Sequence, residues 1–256
     1  MNAFKGSVKI VAFVIFTLSS CLIYMILLIP LKIVGYPYEP LRNRHMKIWA
    51  KGSSRIFNIH VKREGNPPKA PFILVCNHLS YLDIVPLYLY LNCTFVAKKE
   101  VRSWPVLGFL VYMMGVIFID RSKKADVVRV NKILTESLNP FQGIVIFPEG
   151  TSTGGKTILP FKASLLEYPA TQNMEVYVAS IHYRTSDKDL DATDSVCFFG
   201  ARHSFPDHVF MMSKNRRIDC KIVFSEEPVK ANERKELADK LRQKMMDQFI
   251  PIDLAD

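Results

Sequence analysis

The sequence predicts an α/β protein with a largely parallel central sheet flanked by helices, preceded by an N-terminal membrane-anchoring helical segment. Short apolar runs rich in valine, isoleucine and phenylalanine recur after residue 71, helical patterns lie between them, and a long apolar stretch precedes residue 31. Apolar runs of this kind are typical of strands buried on both faces, and strands that alternate with helices favour a parallel sheet. We expect residues 1–58 to form the anchor and residues 59–256 the α/β domain.

The first element is the apolar stretch from Val8 to Pro30, in which Lys9 is the single charged residue. This length is sufficient for a helix that crosses a bilayer. A cleaved signal peptide is the alternative, because LSSC at 18–21 resembles a lipoprotein cleavage site. The apolar run continues to Pro30, beyond the roughly 7–15 residues of a signal peptide core, so a retained anchor is favoured. A helix that enters one leaflet and returns fits the same pattern.

The positive charge is concentrated beside this anchor. The net charge is +10, and eight basic residues in 1–60 are opposed only by Glu39. The positive-inside rule then places the catalytic domain on the cytoplasmic side of a membrane. Charge in this position favours anionic lipid over nucleic acid, and we expect no nucleic-acid partner. The basic residues are Lys5, Lys9, Lys32, Arg42, Arg44, Lys47, Lys51 and Arg55.

The second element is a basic amphipathic helix within residues 41–57. Ile48 and Trp49 lie seven or eight residues, about two turns, from Leu41 and Ile56, and the basic residues occupy other faces. This pattern indicates a helix on anionic headgroups, with Trp49 at the interface. The alternative is a solvated basic helix packed on the domain, and both descriptions can hold together.

The remaining elements follow a proline-rich loop at 64–71, which we interpret as the boundary of the globular body. Asp83 is expected in the first turn of a helix that continues through IVPLYLYL at 84–91, and further helical patterns occupy 125–138 and 233–250. No glycine-rich dinucleotide motif or internal repeat is present. The predicted strands are 72–76, 94–97, 116–119, 143–147, 176–181 and 221–224.

The five cysteines are odd in number and have no close pairing. This pattern indicates neither a disulfide framework nor a structural zinc site, and it favours a reducing compartment. No metal site is therefore predicted. The sequence does not define an oligomeric state.

A first polar cluster, NHLSYLD at 77–83, follows the predicted strand 72–76. A turn of this length can bring the Asp83 carboxylate to Nδ1 of His78 and leave Nε2 free as a general base. A capped turn without catalytic function explains the same residues, since Asp and Ser are common at helix starts. Ser80 is either a nucleophile or a helix cap, and Cys76 is interpreted as an inert buried thiol.

Two further polar clusters follow other predicted strands, and carboxyl ends of strands are where open α/β sheets bind ligands. Arg121 supplies a guanidinium suited to phosphate or a surface salt bridge. The segment PEGTSTGG at 148–155 offers Glu149, Thr151 and the flexible Gly150. Backbone amides in such a turn suit an anion, although an exposed glycine turn has the same composition.

Together these clusters resemble the conserved blocks of the glycerophospholipid acyltransferase family, especially its lysophosphatidic acid acyltransferases. The family's N-H-x-S-x-x-D block is met at 77–83, its glycine-to-arginine block by GVIFIDR at 115–121, and its F-P-E-G-T block at 147–151. VAKKEVRSWPVLG at 96–108 is similar to the family's linking segment. The resemblance extends over roughly residues 55–230, and several independent blocks agree.

The resemblance implies a membrane-bound O-acyltransferase of phospholipid biosynthesis. His78 would deprotonate the hydroxyl of a lysolipid, Asp83 would orient His78, and Asn77 and Ser80 would support the loop. The acyl donor would be acyl-CoA or acyl-acyl carrier protein as co-substrate, with no bound cofactor. The residues expected to hold the acceptor are Arg121, Glu149, Gly150 and Thr151.

Two departures bear on the acceptor. Ser152 stands where the family commonly has arginine, and VYVASIHY at 176–183 lacks the proline of the fourth block. The run at 147–167 is similar to a subgroup that includes acyltransferases for lyso-ornithine lipids. The predicted acceptor is 1-acylglycerol 3-phosphate, as in the family that the blocks resemble. These departures make lyso-ornithine lipid an alternative acceptor.

A protein of a different class also fits the anchor and the basic helix. A non-catalytic membrane-binding or lipid-transfer protein would need both of these elements but would tolerate the loss of His78 and Asp83. The complete motif blocks favour the enzyme over this class.

The apolar segment WPVLGFLVYMMG at 104–115 has two interpretations. It either lines a channel for the acyl chain or packs in the core, and core packing is the more frequent explanation for an apolar stripe.

Overall fold

The structure is a computed structural model of the protein. It describes residues 3–99, 102, 108, 111, 114–119 and 133–252. The chain begins with two long helices, α1 (Ala3–Val34) and α2 (Glu39–Phe57), which pack against each other. A sheet with helices on both faces follows them. The predicted fold class is confirmed.

The sheet has seven strands in the order β1-β7-β6-β2-β5-β3-β4. All neighbouring pairs are parallel except β6 and β7. Because β2 and β5 are adjacent and parallel, the segments that follow them meet at one edge of the sheet. The strands are β1 (Ile59–Glu64), β2 (Ile73–Cys76), β3 (Cys93–Lys98), β4 (Ile117–Ile119), β5 (Gly143–Ile146), β6 (Val176–Thr185) and β7 (Ile218–Phe224).

Side chains that alternate along the buried strands build a core on each face. Leu74 of β2 belongs to the core beneath α2 and α3, whereas Ile73 and Val75 face the core covered by the C-terminal helix. That helix buries Leu237 and Leu241 at helical spacing. The later helices are α3 (Ile84–Tyr90), α4 (Glu167–Thr171), α5 (Ala192–Ser195), α6 (Phe205–Ser213) and α7 (Arg234–Gln248), with 3-10 turns at Tyr81–Asp83 and Ala163–Leu166.

The six predicted strands are present, and the prediction missed β1. Its side chains are mostly exposed after Ile59, and it carries charged residues at Lys62, Arg63 and Glu64. An edge strand of this composition lacks the continuous apolar pattern that indicated the other strands. The loop at 64–71 therefore follows the first strand, which corrects its interpretation as the boundary of the globular body.

Part of the predicted helix at 125–138 is described, and residues 133–137 are helical. The rest of that helix lies outside the described residues, as does Arg121. Most of the segments 96–108 and 104–115 also lie outside them.

Helix α1 is long and apolar enough to cross a membrane, and most of its large side chains are exposed. Its buried side packs on α2: Phe13 contacts Trp49, and the indole N–H of Trp49 donates to Thr17 Oγ1 at 3.1 Å. Gly52 leaves room for the Phe16 ring, which a Cβ there would meet at 2.2 Å. Trp49 is thus 8% exposed and lies between the helices, so the prediction that it contacts headgroups is wrong.

Candidate active site

The segment after β2 brings His78 and Asp83 into contact. The chain leaves the strand through Asn77 and His78, forms the 3-10 turn Tyr81–Asp83 and enters α3. The turn returns the carboxylate toward the strand end, so that His78 Nδ1 lies 2.7 Å from Asp83 Oδ2. The side chain of Asp83 is fully buried, whereas that of His78 is 27% exposed. The imidazole therefore connects a buried carboxylate with the surface.

The same carboxylate oxygen accepts two backbone hydrogen bonds from the loop. The N–H groups of Leu79 and Ser80 donate to Asp83 Oδ2 at 2.7 and 3.0 Å. Donors to a carboxylate stabilise its charged form, and here they also fix its position. In a neutral imidazole that donates to this carboxylate, Nδ1 of His78 carries the hydrogen and Nε2 has a lone pair. This arrangement can remove a proton from a hydroxyl group.

The imidazole plane is set by an aromatic stack from the neighbouring strand. Phe147, directly after β5, stacks on His78 with ring centroids 4.2 Å apart and an interplanar angle of 22°. Phe95 of β3 lies almost parallel to Phe147 at 5.9 Å. The rings leave His78 little freedom to rotate. Phe147 belongs to the F-P-E-G-T block, but the sequence did not assign it this contact.

Glu149 joins the segments that follow β2 and β5. Its Oε1 accepts the N–H of His78 at 3.0 Å, and its Oε2 accepts the N–H of Leu159 at 2.9 Å. The residue is 2% exposed. Burial raises the pKa of this carboxyl group, and the backbone hydrogen bonds from Leu159 and His78 oppose that shift. Glu149 thus holds backbone segments from both sides of the site.

Backbone hydrogen bonds complete this connection. The N–H of Thr153 donates to the carbonyl of His78 at 2.9 Å, and the N–H of Gly150 donates to the carbonyl of Phe147 at 3.1 Å. Gly150 has φ +72°, in the region that favours glycine, so the turn after Glu149 requires this residue type. Thr151 is exposed at the same turn.

Asn77 and Ser80 are both buried and support the loop. The Asn77 side chain accepts the N–H of Ile181 at 2.7 Å and donates to its carbonyl at 2.9 Å, which connects the loop to β6. Ser80 accepts the N–H of Asp83 through its carbonyl at 3.1 Å. Burial, followed by the charges of Asp83 and Glu149, raises the pKa of the Cys76 thiol well above its usual value. A buried, protonated thiol is a poor nucleophile, in agreement with its interpretation as inert.

A distant part of the chain packs under the loop, and the sequence did not predict it. The N–H of Phe198 donates to the carbonyl of Leu79 at 2.9 Å, and Ser152 Oγ donates to the carbonyl of Phe198. His208 Nε2 donates to the carbonyl of Cys197 at 3.0 Å, so its Nδ1 accepts the Tyr81 hydroxyl at 3.1 Å. These pairs are far apart along the chain, and no local pattern in the sequence indicates them.

Apart from the loop supports Asn77 and Ser80, six site residues were predicted. The structure brings five of these six into one region: His78, Asp83, Glu149, Gly150 and Thr151. Arg121 lies outside the described residues, so its position is a prediction. Among the described residues, no group of three histidine, cysteine, aspartate or glutamate side chains is placed to hold a metal ion.

Comparisons with known proteins agree with this architecture. Residues 58–184 match the family model described as Acyltransferase. The crystal structure of the 1-acyl-sn-glycerophosphate (LPA) acyltransferase PlsC from Thermotoga maritima is similar with a TM-score of 0.64. The two share 18% identity, and the match covers 97% of this chain and 98% of that one, which shows a common fold.

Two curated relatives illustrate the similarity in sequence. A lyso-ornithine lipid O-acyltransferase from Pseudomonas aeruginosa is 33% identical over 153 residues, which are 60% of this chain and 59% of that protein. A 1-acyl-sn-glycerol-3-phosphate acyltransferase from Neisseria gonorrhoeae is 31% identical over 144 residues, 56% of each chain. The match thus spans less than three fifths of either relative. Residues 58–184 are thus the part of this chain that matches the acyltransferase family.

Proposed function

We propose that the protein is a membrane-bound O-acyltransferase that transfers a fatty acyl group from a thioester to the free hydroxyl of a lysophospholipid. The observation that carries the proposal is the His78–Asp83 pair, which lies within the acyltransferase-matching region and has His78 Nδ1 2.7 Å from Asp83 Oδ2. The aromatic stack and the Glu149 bridge hold this pair in place before any substrate arrives. Preorganised groups of this kind lower the cost of reaching a transition state.

The proposed reaction needs no nucleophile from the protein. Nε2 of His78 takes the proton of the lysolipid hydroxyl as its oxygen attacks the thioester carbonyl carbon. The resulting tetrahedral species expels the thiolate, and the protonated imidazole returns the proton to sulfur. The products are an ester and a free thiol. Buried Asp83 stabilises the imidazolium during the interval between the two transfers.

The acceptor contacts follow from the family resemblance and from the local geometry. Thr151 is exposed and Gly150 is buried in the turn after Glu149, which is joined to the His78 backbone through Thr153. Arg121 would supply the cation for a phosphate. Both oxygens of Glu149 already accept backbone N–H groups, and the side chain is buried. We therefore assign Glu149 a positioning role for His78 and for the turn rather than a direct contact with substrate.

Two acceptors are compatible with these residues. We propose 1-acylglycerol 3-phosphate, which would give phosphatidic acid. Lyso-ornithine lipid is the second candidate, because the P. aeruginosa relative is named for that reaction. The hydroxyl of Ser152, where the family commonly has arginine, is directed to the carbonyl of Phe198 and adds no positive charge for a phosphate.

The membrane attachment forms part of the proposal. Residues 1–58 would anchor the protein, with α1 in the bilayer and the α/β domain of residues 59–256 on the cytoplasmic side, where acyl-CoA and acyl carrier protein are available. The exposed apolar surface of α1 and the basic residues around α2 support this arrangement.

The test is a substrate matrix. Membranes containing the protein are incubated with 1-acylglycerol 3-phosphate or lyso-ornithine lipid, each with acyl-CoA or acyl carrier protein as the donor, and diacylated product is measured. We expect one acceptor to be acylated well above membranes that contain His78→Ala. Equal product from the variant, or no product from any pair, would contradict the proposed function.

A further inference from the structure

A second polar site lies at the opposite end of the strands from His78. It is a cavity of about 370 Å³ bounded by α1, the start of α2 and the first residues of β4. Gly115, which precedes β4, lines it, and Thr94 at the start of β3 donates its hydroxyl to the carbonyl of Gly115 at 2.7 Å. The strand registers place His78 about five residues and three strand spacings from Gly115, a separation of roughly 20 Å.

The central feature of this cavity is a buried arginine. Arg42 of α2 is 3% exposed, and its Nε and Nη2 atoms have no hydrogen-bond partner. No carboxylate in the described part of the chain lies within ion-pair distance of it; Glu39, one turn earlier, accepts instead from Asn139 at 3.5 Å. Burial of an unpaired charge is costly, so a guanidinium in this state favours a bound anion.

The backbone of the second sequence motif leaves room for this guanidinium. Gly115 is the first residue of GVIFIDR and has φ +73°. A Cβ at this position would lie 2.0 Å from Arg42 Nη1. The first glycine of this motif thus provides space for Arg42 at the far end of the sheet.

Lys32 supplies a second cation to the lining of this cavity. Lys32, in the last turn of α1, is exposed, and its Nζ lies 6.0 Å from the centre of the Tyr38 ring. The guanidinium carbon of Arg42 lies 5.9 Å from the same ring. Two cations thus lie around one aromatic ring, and one of them, Arg42, has donors without a partner. Such a pair of cations suits the oxygen atoms of a phosphate.

We propose that this cavity binds the phosphate of a membrane phospholipid headgroup, held by Arg42 and Lys32. The lining indicates a lipid-borne phosphate, because Tyr24 and Leu28 of α1 line the cavity beside the cations. The adjoining end of α1 also exposes Ile29 and Ile33, against which acyl chains can pack. This site is separate from the proposed acceptor site and does not depend on the proposed reaction.

The test measures the thermal unfolding midpoint of the full chain in detergent during titration with phosphatidylglycerol. Diacylglycerol supplies the same chains without phosphate, and glycerol 3-phosphate supplies phosphate without chains. We expect phosphatidylglycerol alone to raise the midpoint at micromolar to submillimolar concentration. Because a charge-assisted hydrogen bond contributes about 1.5–3 kcal/mol, Lys32→Gln should weaken the apparent affinity about tenfold or more.

Arg42→Met separates binding from a structural role. Without added lipid, this variant should be at least as stable as the wild type, because it removes an unpaired buried charge. With phosphatidylglycerol it should show no stabilisation, whereas Arg55→Gln, an exposed charge loss on the same helix, should keep the full effect.

Three results would overturn the proposal. One is an unchanged phosphatidylglycerol response in both Arg42→Met and Lys32→Gln. Another is a loss of stability in Arg42→Met that is the same with and without lipid, since it would show a structural role alone. The third is equal stabilisation by glycerol 3-phosphate, which would exclude the lipid as the required source.

Discussion

Buried charged side chains have different hydrogen-bond partners at the two ends of the central sheet. At the carboxyl ends of β2 and β5, both oxygens of Glu149 accept backbone N–H groups, and Asp83 Oδ2 accepts from His78 and from two backbone N–H groups, although Asp83 Oδ1 has no partner. At the opposite end, the Arg42 guanidinium is buried with two of its nitrogens unpartnered. A site for chemistry is held rigid by internal partners, whereas a site for a ligand leaves donors available to it.

This contrast assigns different consequences to substitutions at the two ends. Changes near His78 should reduce the rate of acyl transfer and leave any effect of lipid on stability intact. Changes at Arg42 should alter the lipid response. Variants at the two ends therefore separate effects on acyl transfer from effects on the lipid response. The largest expected effect is a loss of activity, and the smallest is a coupling between the stability changes of variants at the two ends.

His78→Ala should lower kcat/KM for acyl transfer by about 10³-fold, within the usual range for loss of a general base. The fold should persist, because the side chain is partly exposed and its backbone contacts with Glu149 and Thr153 remain. The measurement combines steady-state kinetics with near-ultraviolet circular dichroism. His60→Ala, at an exposed position, is the matched control and should retain full activity. Activity near wild type in His78→Ala would remove His78 as the base.

Asp83→Asn should lower kcat by about 10²-fold, because the neutral amide can accept the backbone N–H groups but cannot stabilise the imidazolium. The KM for the acceptor should change little, since Asp83 is buried behind His78. Asp187→Asn, with a highly exposed side chain, serves as the control. A change in KM with an unchanged kcat would indicate that Asp83 acts on binding instead.

Glu149→Gln should reduce activity about tenfold and the free energy of unfolding by about 1–3 kcal/mol. The amide keeps one acceptor oxygen but presents its NH₂ group to the second backbone N–H, which then loses its partner. Kinetics and chemical denaturation measure the two effects, with exposed Glu226→Gln as the control. An increase in KM alone, at unchanged stability, would instead favour direct contact between Glu149 and the acceptor.

The pH dependence of stability should report the same carboxyl group. Burial raises the pKa of Glu149 above its ordinary value of 4.5, so the folded state binds the proton more tightly than the unfolded state. The wild type therefore gains stability from this group as the pH falls through the folded pKa, and the gain is complete below 4.5. The difference in unfolding free energy, wild type minus Glu149→Gln, should grow from neutral pH toward 4.5. A constant difference would contradict the shift.

The smallest expected effect is the coupling between the two ends. The stability changes of Glu149→Gln and Arg42→Met should add within about 0.5 kcal/mol in the double variant, because the sites share no partners. Chemical denaturation of the two single variants and the double variant in lipid-free detergent measures the sum. A larger coupling would show that the cavity and the catalytic loop form one unit.

Much of the fold follows from local pattern. The six buried strands were predicted because continuous apolar runs identify strands covered on both faces. Helix α1 was predicted because a long apolar stretch with a single charged residue has few other conformations. Strand β1 was missed because it lies at the sheet edge with charged side chains. The position of Trp49 was mispredicted because helix periodicity shows which residues share a face, but not whether lipid or another helix covers it.

Some features of the candidate site were likewise predicted from local sequence, whereas others depend on the tertiary structure. The spacing of His78 and Asp83 indicated a pair, and the structure places their side chains in contact. The roles proposed for them, for Arg121 and for the turn at Gly150 and Thr151 stay predictions. The Phe147 stack, the two backbone partners of Glu149 and the hydrogen bond between Tyr81 and His208 depend on which strands and loops become neighbours.

By itself the sequence determined the fold class, the resemblance to the acyltransferase family and the residues around which a base can form, because these depend on residue type and short spacing. Tertiary structure alone decided that Glu149 holds two backbone segments and that Arg42 lies buried beside Gly115 without a partner. Burial and hydrogen bonding are properties of elements brought together from distant parts of the chain. A local pattern cannot specify them, since the same arginine on an exposed face of α2 would be solvated and would need no ligand.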